Sequence, residues 1–184
     1  MGHIYLYYGD GGGKTTSALG LALRSVGHKH RVVIIQFMKW FRETGEYKIQ
    51  PILSPYYSIH QFGEPGWIKL ADNPDKTELE ELKTRLPDER DRTAAKTAME
   101  FARKTLEREK PNLLILDEVC LAVHYGILPL KDVIDLLARL PENTDIVMTG
   151  RYAPKELIER SDFVNKIVSE KAPKEFVNNE GIQF

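Results

Sequence analysis

The stretch YLYYGDGGGKTTSALG, Tyr5–Gly20, joins an apolar run, a cluster of glycines and the first turns of an expected helix. A strand, a glycine loop and a helix in this order are the context in which a phosphate-binding loop is expected. Glycines carry no Cβ, so the backbone N–H groups of such a loop can converge on phosphate oxygens. The helix that starts near Thr15 points the positive end of its dipole at the same place. The stretch therefore predicts a phosphate cradle within an α/β fold.

The residues of this loop have distinct expected roles. Lys14 adds a positive point charge, and the Thr15 hydroxyl is placed to hold Mg²⁺. The general spacing G-x-x-x-x-G-K-[ST] requires a glycine at position 8, but the sequence has Tyr8, and the glycine comes one residue later at Gly9. A flexible glycine turn without a ligand is the alternative interpretation. The predicted nucleotide contacts in the loop are Gly9, Asp10, Gly11, Gly12, Gly13, Lys14, Thr15 and Thr16.

Composition limits the class of protein. With 184 residues, 42% of them hydrophobic, the chain suits a single domain, 1–184, with one core. Its 26 basic and 27 acidic residues give a net charge of -1, which argues against a nucleic-acid partner held by bulk positive charge. The one cysteine, Cys120, cannot form an internal disulfide and fits a reducing cytoplasm. No apolar run approaches the roughly 20 residues of a membrane span, so we expect no membrane partner.

Short apolar runs alternate with helical patterns along the chain. The runs expected to form strands buried on both faces are Ile4–Tyr8, Val32–Phe37, Tyr57–Phe62, Leu113–Leu116, Ile146–Thr149 and Lys166–Val168. Helical stripes are expected from Ala18 to Val26, from Ala94 to Leu106, after Pro129 with Val133, Ile134 and Leu137 facing inward, and after Pro154. The alternation predicts a parallel sheet flanked by helices, of the P-loop NTPase (RecA-like) type.

The segment from Ile68 to Arg85 departs from this pattern because it is highly charged and poor in large apolar side chains. A solvated surface helix is one interpretation of such a charge pattern. A mobile flap over a site is the other, since long connections can serve as lids.

Further polar residues come at the ends of the expected strands. LLILDEV ends a buried strand in Asp117 and Glu118, where a carboxylate can bind Mg²⁺ directly or through water. Arg151 follows another strand, at the edge where open α/β sheets bind ligands. Gln36 and Lys39, at the end of the second strand, are also placed to approach a nucleotide. Solvated strand ends and surface salt bridges are the alternative explanations for these residues.

These features predict an ATP or GTP site and leave the reaction open. The sequence resembles the ATP:corrinoid adenosyltransferases, which make adenosylcobalamin. The resemblance runs from about Ile4 to the last residue, and its carriers in chain order are GDGGGKTTSALGLALRSVGH, VVIIQFMK, LLILDEV with YGILPLKDVIDLL, IVMTGRYAPKELIERSDFV and the final GIQF. In this family a loop without the first glycine of the general motif is the rule.

The resemblance implies a reaction in which the terminal phosphate is left intact. The corrinoid cobalt, reduced to Co(I), attacks the 5′ carbon of the ATP ribose, and the whole triphosphate leaves. Co(I) is itself a strong nucleophile, so no catalytic histidine is required. Lys14, Mg²⁺ and the loop amides would then stabilise a leaving group. A small-molecule kinase or ATPase, and a nucleotide-gated corrinoid carrier without turnover, remain the alternatives.

The resemblance also implies residues on the corrinoid side. In the family a phenylalanine and a tryptophan in an F-x-W segment fill the lower face of the corrinoid, and here HQFGEPGWIKL offers Phe62 and Trp67 at a different spacing. Two core aromatic side chains are the alternative reading. Gly12 stands where the family usually has a second lysine. A homodimer and a reduced flavoprotein as electron donor are further implications of the resemblance.

Overall fold

A six-stranded, entirely parallel sheet forms the centre of the molecule. The structure is a computed structural model that describes residues 2–68, 84–171, 173 and 179–182, without the side chains of Trp67 and Thr84. The strands of this sheet are β1 Ile4–Tyr8, β2 Val32–Phe37, β3 Tyr57–Phe62, β6 Leu113–Asp117, β7 Asp145–Gly150 and β8 Phe163–Lys166. Their order across the sheet is β3-β2-β6-β7-β1-β8. The predicted parallel α/β fold is therefore confirmed.

Helices connect these strands in the described part of the chain. They are α1 Lys14–Gly27, α2 Gly45–Lys48, α3 Gln50–Leu53, α4 Glu89–Arg108, α5 Val119–His124, α6 Leu130–Leu137 and α7 Lys155–Arg160. The expected helical stripes coincide with α1, α4, α6 and α7. The short helices α2, α3 and α5 were not expected, because four to six residues are too few to show a helical period.

The central strands are buried on both faces because alternate side chains meet different helices. In β2, Val32 and Ile34 pack with Ala18 and Ala22 of α1. The intervening Val33 and Ile35 pack with α4 on the opposite face. A continuous apolar run is therefore the pattern that this strand requires.

The last strand corrects the sequence prediction in position and in burial. It was expected at Lys166–Val168, but β8 runs from Phe163 to Lys166, in register with Tyr5–Tyr8 of β1. All four residues of β8 are exposed, because β8 forms the edge of the sheet. Its Phe163 ring stacks on Tyr5 at a centroid distance of 4.6 Å.

Two further details differ from the expectation. In α6 the buried side chains include Leu136 beside Val133 and Leu137, while Ile134 is only partly buried. The expected charged segment lies outside the described residues from 69 to 83. Its ends form a two-stranded parallel sheet of β4 Trp67–Ile68 and β5 Thr84–Arg85.

The small sheet is held to α4 by an ion pair. Both terminal nitrogens of Arg85 donate to the Asp91 carboxylate, at 2.6 and 2.7 Å. The Asp91 side chain also accepts from the Asp88 backbone N–H, while Asp88 accepts from Arg90 N–H, forming a capping box at the start of α4. Burial alone would raise the pKa of Asp91, but the hydrogen bonds from Arg85 and from the Asp88 N–H, together with the Arg85 charge, lower it.

Among the described residues, no helix has both the length and the apolar composition needed to cross a bilayer.

Candidate functional site

The glycine loop between β1 and α1 packs closely against the chain that follows β8. Gly11 N–H donates to the Ile167 carbonyl oxygen at 3.0 Å, and Ile167 N–H donates to the Tyr8 carbonyl oxygen at 2.7 Å. A Cβ on Gly9 would lie 2.3 Å from the Ile167 oxygen, and one on Gly11 would lie 2.7 Å from the Val168 carbonyl carbon. These two glycines are required by the close approach of another backbone segment.

The other two loop glycines face open space. A Cβ built on Gly12 or on Gly13 meets nothing within 4 Å. Gly13 has a φ of 96° and is the N-cap of α1, so the left-handed backbone there favours glycine. Gly12 has neither a positive φ nor a close neighbour that would demand glycine.

Lys14, the first residue of α1, is folded back onto the loop. Its Nζ donates to the Gly11 carbonyl oxygen at 2.7 Å. Burial lowers the pKa of the Lys14 ammonium, opposed by the negative charge of Glu118. The ammonium is thus held at the centre of the loop, where it lacks full hydration and where an anion would stabilise it.

Asp117, at the end of β6, is the centre of a buried hydrogen-bond network. Its Oδ1 accepts from the hydroxyls of Thr15 and Thr149, each at 2.7 Å. Its Oδ2 accepts from Gln36 Nε2 at 3.0 Å and lies 2.9 Å from Lys39 Nζ. Burial alone would raise the pKa of Asp117, but the Lys39 charge and these hydrogen bonds lower it. Asp117 is therefore ionised and its oxygens are fully engaged.

Lys39 joins this network to the short helix α2. Its Nζ lies 4.0 Å from Glu46 Oε1, and Gln36 Nε2 lies 3.4 Å from the same oxygen. Burial opposes the charged form, but attraction to Asp117 raises the pKa of Lys39. The Gln36 side chain does not line the cavity described below, and it holds the Asp117 carboxylate in place through its hydrogen bond. Glu46 and Thr149 also belong to this network, and no local sequence pattern identifies them.

Glu118 has an unusual backbone and an unsatisfied side chain. Its φ is 62°, and its N–H donates to Thr149 Oγ1 at 2.9 Å. Its Oε2 is buried and has no hydrogen-bond partner among the described residues. Burial, together with the neighbouring charge of Asp117, raises the pKa of Glu118. A strained backbone and a carboxylate oxygen without a hydrogen-bond partner among the described residues are typical of a residue that binds a ligand.

The donor set of this region suits a hard cation that also binds phosphate. Among the described residues, no three His, Cys, Asp or Glu side chains are grouped closely enough to hold a metal ion unaided. Magnesium needs few protein ligands, because it keeps several waters and binds through one or two carboxylates plus substrate phosphates. Thr15 Oγ1 and the Glu118 oxygen without a hydrogen-bond partner are oxygen donors of the kind that could hold such a cation.

A cavity of about 690 Å³ opens beside the glycine loop. Seven of the predicted site residues line it: Gly12, Gly13, Lys14, Thr15, Thr16, Lys39 and Glu118. Gly9, Asp10 and Gly11 shape the loop without lining the cavity, and Gln36 and Asp117 lie behind it. The remaining lining comes from residues that were not predicted: Leu19, Leu23, Gly45, Glu46, Ile49, Leu53, Tyr57, Gly181 and Ile182.

Arg151 is exposed at the end of β7 and does not line this cavity. Its charge nevertheless acts on two titratable groups that line the cavity, disfavouring the ammonium of Lys14 and favouring the carboxylate of Glu118. The predicted proximity of Arg151 to the nucleotide remains a prediction.

Phe62 belongs to a second, more open cavity of about 500 Å³ between the end of β3 and the start of α4. Its ring packs 5.7 Å from that of Phe101. The next residue, Gly63, lies against the backbone of Met38 and Lys39, so that a Cβ there would be 2.5 Å from Lys39 N. The two cavities are thus neighbours across this contact. The Trp67 side chain lies outside the described residues.

The loop, the strand order and the acidic strand end together form a P-loop NTPase arrangement of the RecA-like type. The strand that carries the loop, β1, is separated from the acidic strand β6 by one strand, β7. The loop and the acidic strand are joined by the hydrogen bond between Thr15 and Asp117.

Comparisons with known proteins give one family. Residues 1–184 match the model described as ATP:corrinoid adenosyltransferase BtuR/CobO/CobP. The chain is 29% identical to a corrinoid adenosyltransferase of Escherichia coli K12 over 166 residues, covering 90% of this chain and 76% of that one. It is 28% identical to corrinoid adenosyltransferase CobA of Salmonella typhimurium, with the same coverage. It is 28% identical to a corrinoid adenosyltransferase of Sinorhizobium sp, covering 94% of this chain and 74% of that one.

Among solved structures, the chain is similar to domain III of the replication initiation protein DnaA of Thermotoga maritima. The TM-score is 0.41 at 15% identity, covering 90% of this chain and 54% of that one.

Proposed function

The chain belongs to the ATP:corrinoid adenosyltransferase family, and on that basis we propose that it transfers the 5′-deoxyadenosyl group of ATP to the Co(I) of a reduced corrinoid and releases triphosphate. The cavity beside the glycine loop is the observation that carries this proposal. Lys14 and Thr15 from the loop and the unpartnered carboxylate of Glu118 all line it. A polyphosphate with its cation fits this set of groups.

The chemistry requires one bond to form and one to break. Cobalt supplies both electrons of the new bond to the 5′ carbon, and the bond between that carbon and the triphosphate oxygen breaks with its electron pair on the oxygen. No proton is transferred in this step, so no general base is needed. The protein contributes orientation of the two substrates and stabilisation of the charge that grows on the leaving oxygen.

The loop supplies that stabilisation in our proposal. Its backbone N–H groups and the N-terminus of α1 surround the triphosphate, and the Lys14 ammonium contacts its oxygens. Burial disfavours the free ammonium of Lys14, as the lowered pKa shows. A triphosphate beside it would therefore relieve an existing electrostatic cost as well as add new contacts.

Mg²⁺ would be held by the Thr15 hydroxyl and by Glu118, with Asp117 acting through Thr15. Asp117 Oδ1 accepts a hydrogen bond from the Thr15 hydroxyl at 2.7 Å, and Asp117 also pairs with Lys39, so its role would be to orient the Thr15 oxygen. When bound, the cation neutralises charge on the departing triphosphate.

The corrinoid would lie over the second cavity, next to Phe62. The neighbouring backbone contact of Gly63 with Lys39 brings this cavity beside the nucleotide cavity. Phe62, with Trp67 as its partner, would cover the lower face of the corrinoid and exclude a ligand there, which eases reduction of Co(II) to Co(I). A reduced flavoprotein would supply the electron. The proposal includes a homodimer that acts in the cytoplasm.

The test is an anaerobic incubation with ATP, Mg²⁺ and chemically generated cob(I)alamin, followed by absorbance for the cobalt–carbon product and by phosphate analysis. We expect adenosylcobalamin and intact triphosphate in equal amounts. ADP or free phosphate without the corrinoid product would instead indicate a kinase or an ATPase. Binding of both ligands without any product would indicate a carrier.

Two lysine-to-alanine variants, one in the loop and one on the surface, test the proposed role of Lys14. Lys14→Ala is expected to lower the rate of adenosyl transfer by about a thousandfold, because a charge at the leaving group is lost. Lys155→Ala removes an exposed lysine that pairs with Glu159 on α7 at 3.2 Å, and it should keep the wild-type rate. Full activity in Lys14→Ala would contradict the assigned role.

A further inference from the structure

The cavity beside the glycine loop has two chemically different halves. The proposed function uses the polar half, around Lys14, Thr15 and Glu118. The other half is built of aliphatic side chains from three separate parts of the chain: Leu19, Leu23, Ile49, Leu53 and Ile182. Nothing in the phosphate or metal chemistry explains this apolar half.

The apolar half begins on α1 directly after the phosphate loop. Thr15, Leu19 and Leu23 are spaced by four residues and share one face of the helix. Leu19 and Leu23 therefore lie roughly 6 and 12 Å along the helix axis from Thr15. Leu23 is 60% exposed, so much of its side chain is open to a ligand in the cavity. This face therefore forms an apolar surface that leads away from the position proposed for the triphosphate.

The opposite end of the chain contributes to the same cavity. Residues 179–182 form a turn in which Ile182 N–H donates to the Asn179 carbonyl oxygen at 3.1 Å. Gly181 has a φ of 77°, a conformation that favours glycine and turns the chain there. Gly181 and Ile182 both line the cavity, and Ile182 is 77% exposed. An isoleucine is thus held at the mouth of a binding cavity with little protein contact of its own.

We propose that Leu23 and Ile182 form apolar walls of the nucleoside subsite, so that the C-terminal turn 179–182 holds the adenosine of ATP against α1. The inference rests on the proposed function only in taking ATP as the ligand. The apolar half is continuous with the phosphate cradle, so an occupant that spans both halves has a polyphosphate joined to a flat, weakly polar group. A cavity of about 690 Å³ is in the usual range for such small-molecule sites.

The contacts in this proposal are aliphatic and do not read the hydrogen-bonding edge of the base. Covering Ile182 and Leu23 by a purine ring buries apolar surface, whichever purine is present. The turn is therefore expected to contribute affinity for both ATP and GTP, and to contribute nothing to binding of the triphosphate alone.

The experiment compares nucleotide with bare polyphosphate by calorimetry in the presence of Mg²⁺. Ile182→Asp should weaken ATP binding about tenfold, since it places a charge against the base and removes an apolar contact. Its dissociation constant for inorganic tripolyphosphate should stay within about twofold of wild type. Leu23→Asn on the facing helix should show the same pattern, and removal of residues 181–184 should reproduce it without adding a charge.

Ile52→Asp is the matched control. Ile52 is 80% exposed on α3, beside Leu53, but it does not line the cavity. It should bind both ligands like the wild-type chain.

Three outcomes would overturn the inference. ATP affinity unchanged in both Ile182→Asp and the truncated chain would remove the turn from the subsite. An equal loss of tripolyphosphate binding would mean that the turn supports the phosphate loop instead. A changed sedimentation mass at unchanged ATP affinity would make Ile182 a contact between two copies of the chain. These binding measurements need no corrinoid, so they decide the inference even if no adenosyl transfer is found.

Discussion

Gly12 lies at the open side of the phosphate cradle, where a side chain has room. A Cβ there meets nothing within 4 Å, and the backbone has no positive φ. Gly12→Lys should therefore fold normally and place a second ammonium at the cavity that Lys14 already enters. We expect ATP to bind about fivefold more tightly, as one extra partly exposed ion pair provides.

Calorimetry at two ionic strengths checks this prediction. The gain should shrink at high salt, because added ions screen exposed charges. Gly12→Gln, which has similar length and no charge, is the control and should show little gain. Equal gains from glutamine and lysine would show that charge is not the cause.

His60 offers a second test at the scale of one side chain. It lies in β3 with its ring 4.5 Å from that of Phe101, and burial lowers its pKa from 6.5, although the Glu109 charge opposes this. The His60 imidazole therefore binds a proton at a higher pH in the unfolded chain than in the folded chain. By linkage, stability falls as pH drops below about 6.5 and is retained above it.

Urea unfolding of the wild type and of His60→Gln at pH 7.5 and pH 5.5 measures this effect. The wild type should lose more free energy of unfolding between the two pH values than the variant, since the other titrating groups are shared. A loss of equal size in both proteins would exclude His60 as its source.

At the scale of elements, the phosphate loop depends on the segment after β8. Gly11 N–H donates to the Ile167 oxygen, and a Cβ on Gly11 would come within 2.7 Å of the Val168 backbone. Gly11→Ala must therefore move either the loop or this segment. We expect ATP binding to weaken at least tenfold, because several backbone N–H groups of the loop would no longer point towards the phosphate oxygens.

Gly12→Ala adds the same methyl group one residue later, where there is open space. Its ATP affinity should stay within about twofold of wild type when both variants are titrated side by side. Similar losses in the two variants would mean that glycine flexibility, and not the contact with the β8 segment, determines the loop's shape.

At the scale of the whole molecule, the cavity joins α1, the β2–α2 connection, α3, the start of α5 and the C-terminal turn. A ligand in it therefore binds the folded chain and not the unfolded one. ATP with Mg²⁺ at a hundred times its dissociation constant should stabilise the chain by about 2.7 kcal/mol. For a chain of this size that corresponds to a rise in Tm of roughly 5 to 10 °C.

Thermal unfolding followed by circular dichroism tests this prediction. Lys14→Ala at the same ATP concentration should show a much smaller rise. An equal rise in that variant would place the nucleotide outside the cradle.

Much of the fold follows from local patterns. The strands β1, β2 and β3 were predicted at their observed bounds, because each is a compact apolar run next to a turn or a helical stripe. The edge strand β8 was misplaced by three residues. Its side chains are exposed, so apolar character does not mark it, and its position depends on register with β1. The short helices α2, α3 and α5 were missed for lack of a visible period.

The sequence by itself determined the loop from Gly9 to Thr16, the acidic residues at the end of β6 and the family of the chain. Each of these is recognisable from neighbouring residues in a fixed order. Only the tertiary structure decided that Glu46 and Thr149 join the network of Asp117. The meeting of Leu23 with Ile182 at one cavity was equally hidden. These residues lie far apart along the chain, and nothing in their local sequence encodes a contact that exists only once the sheet is assembled.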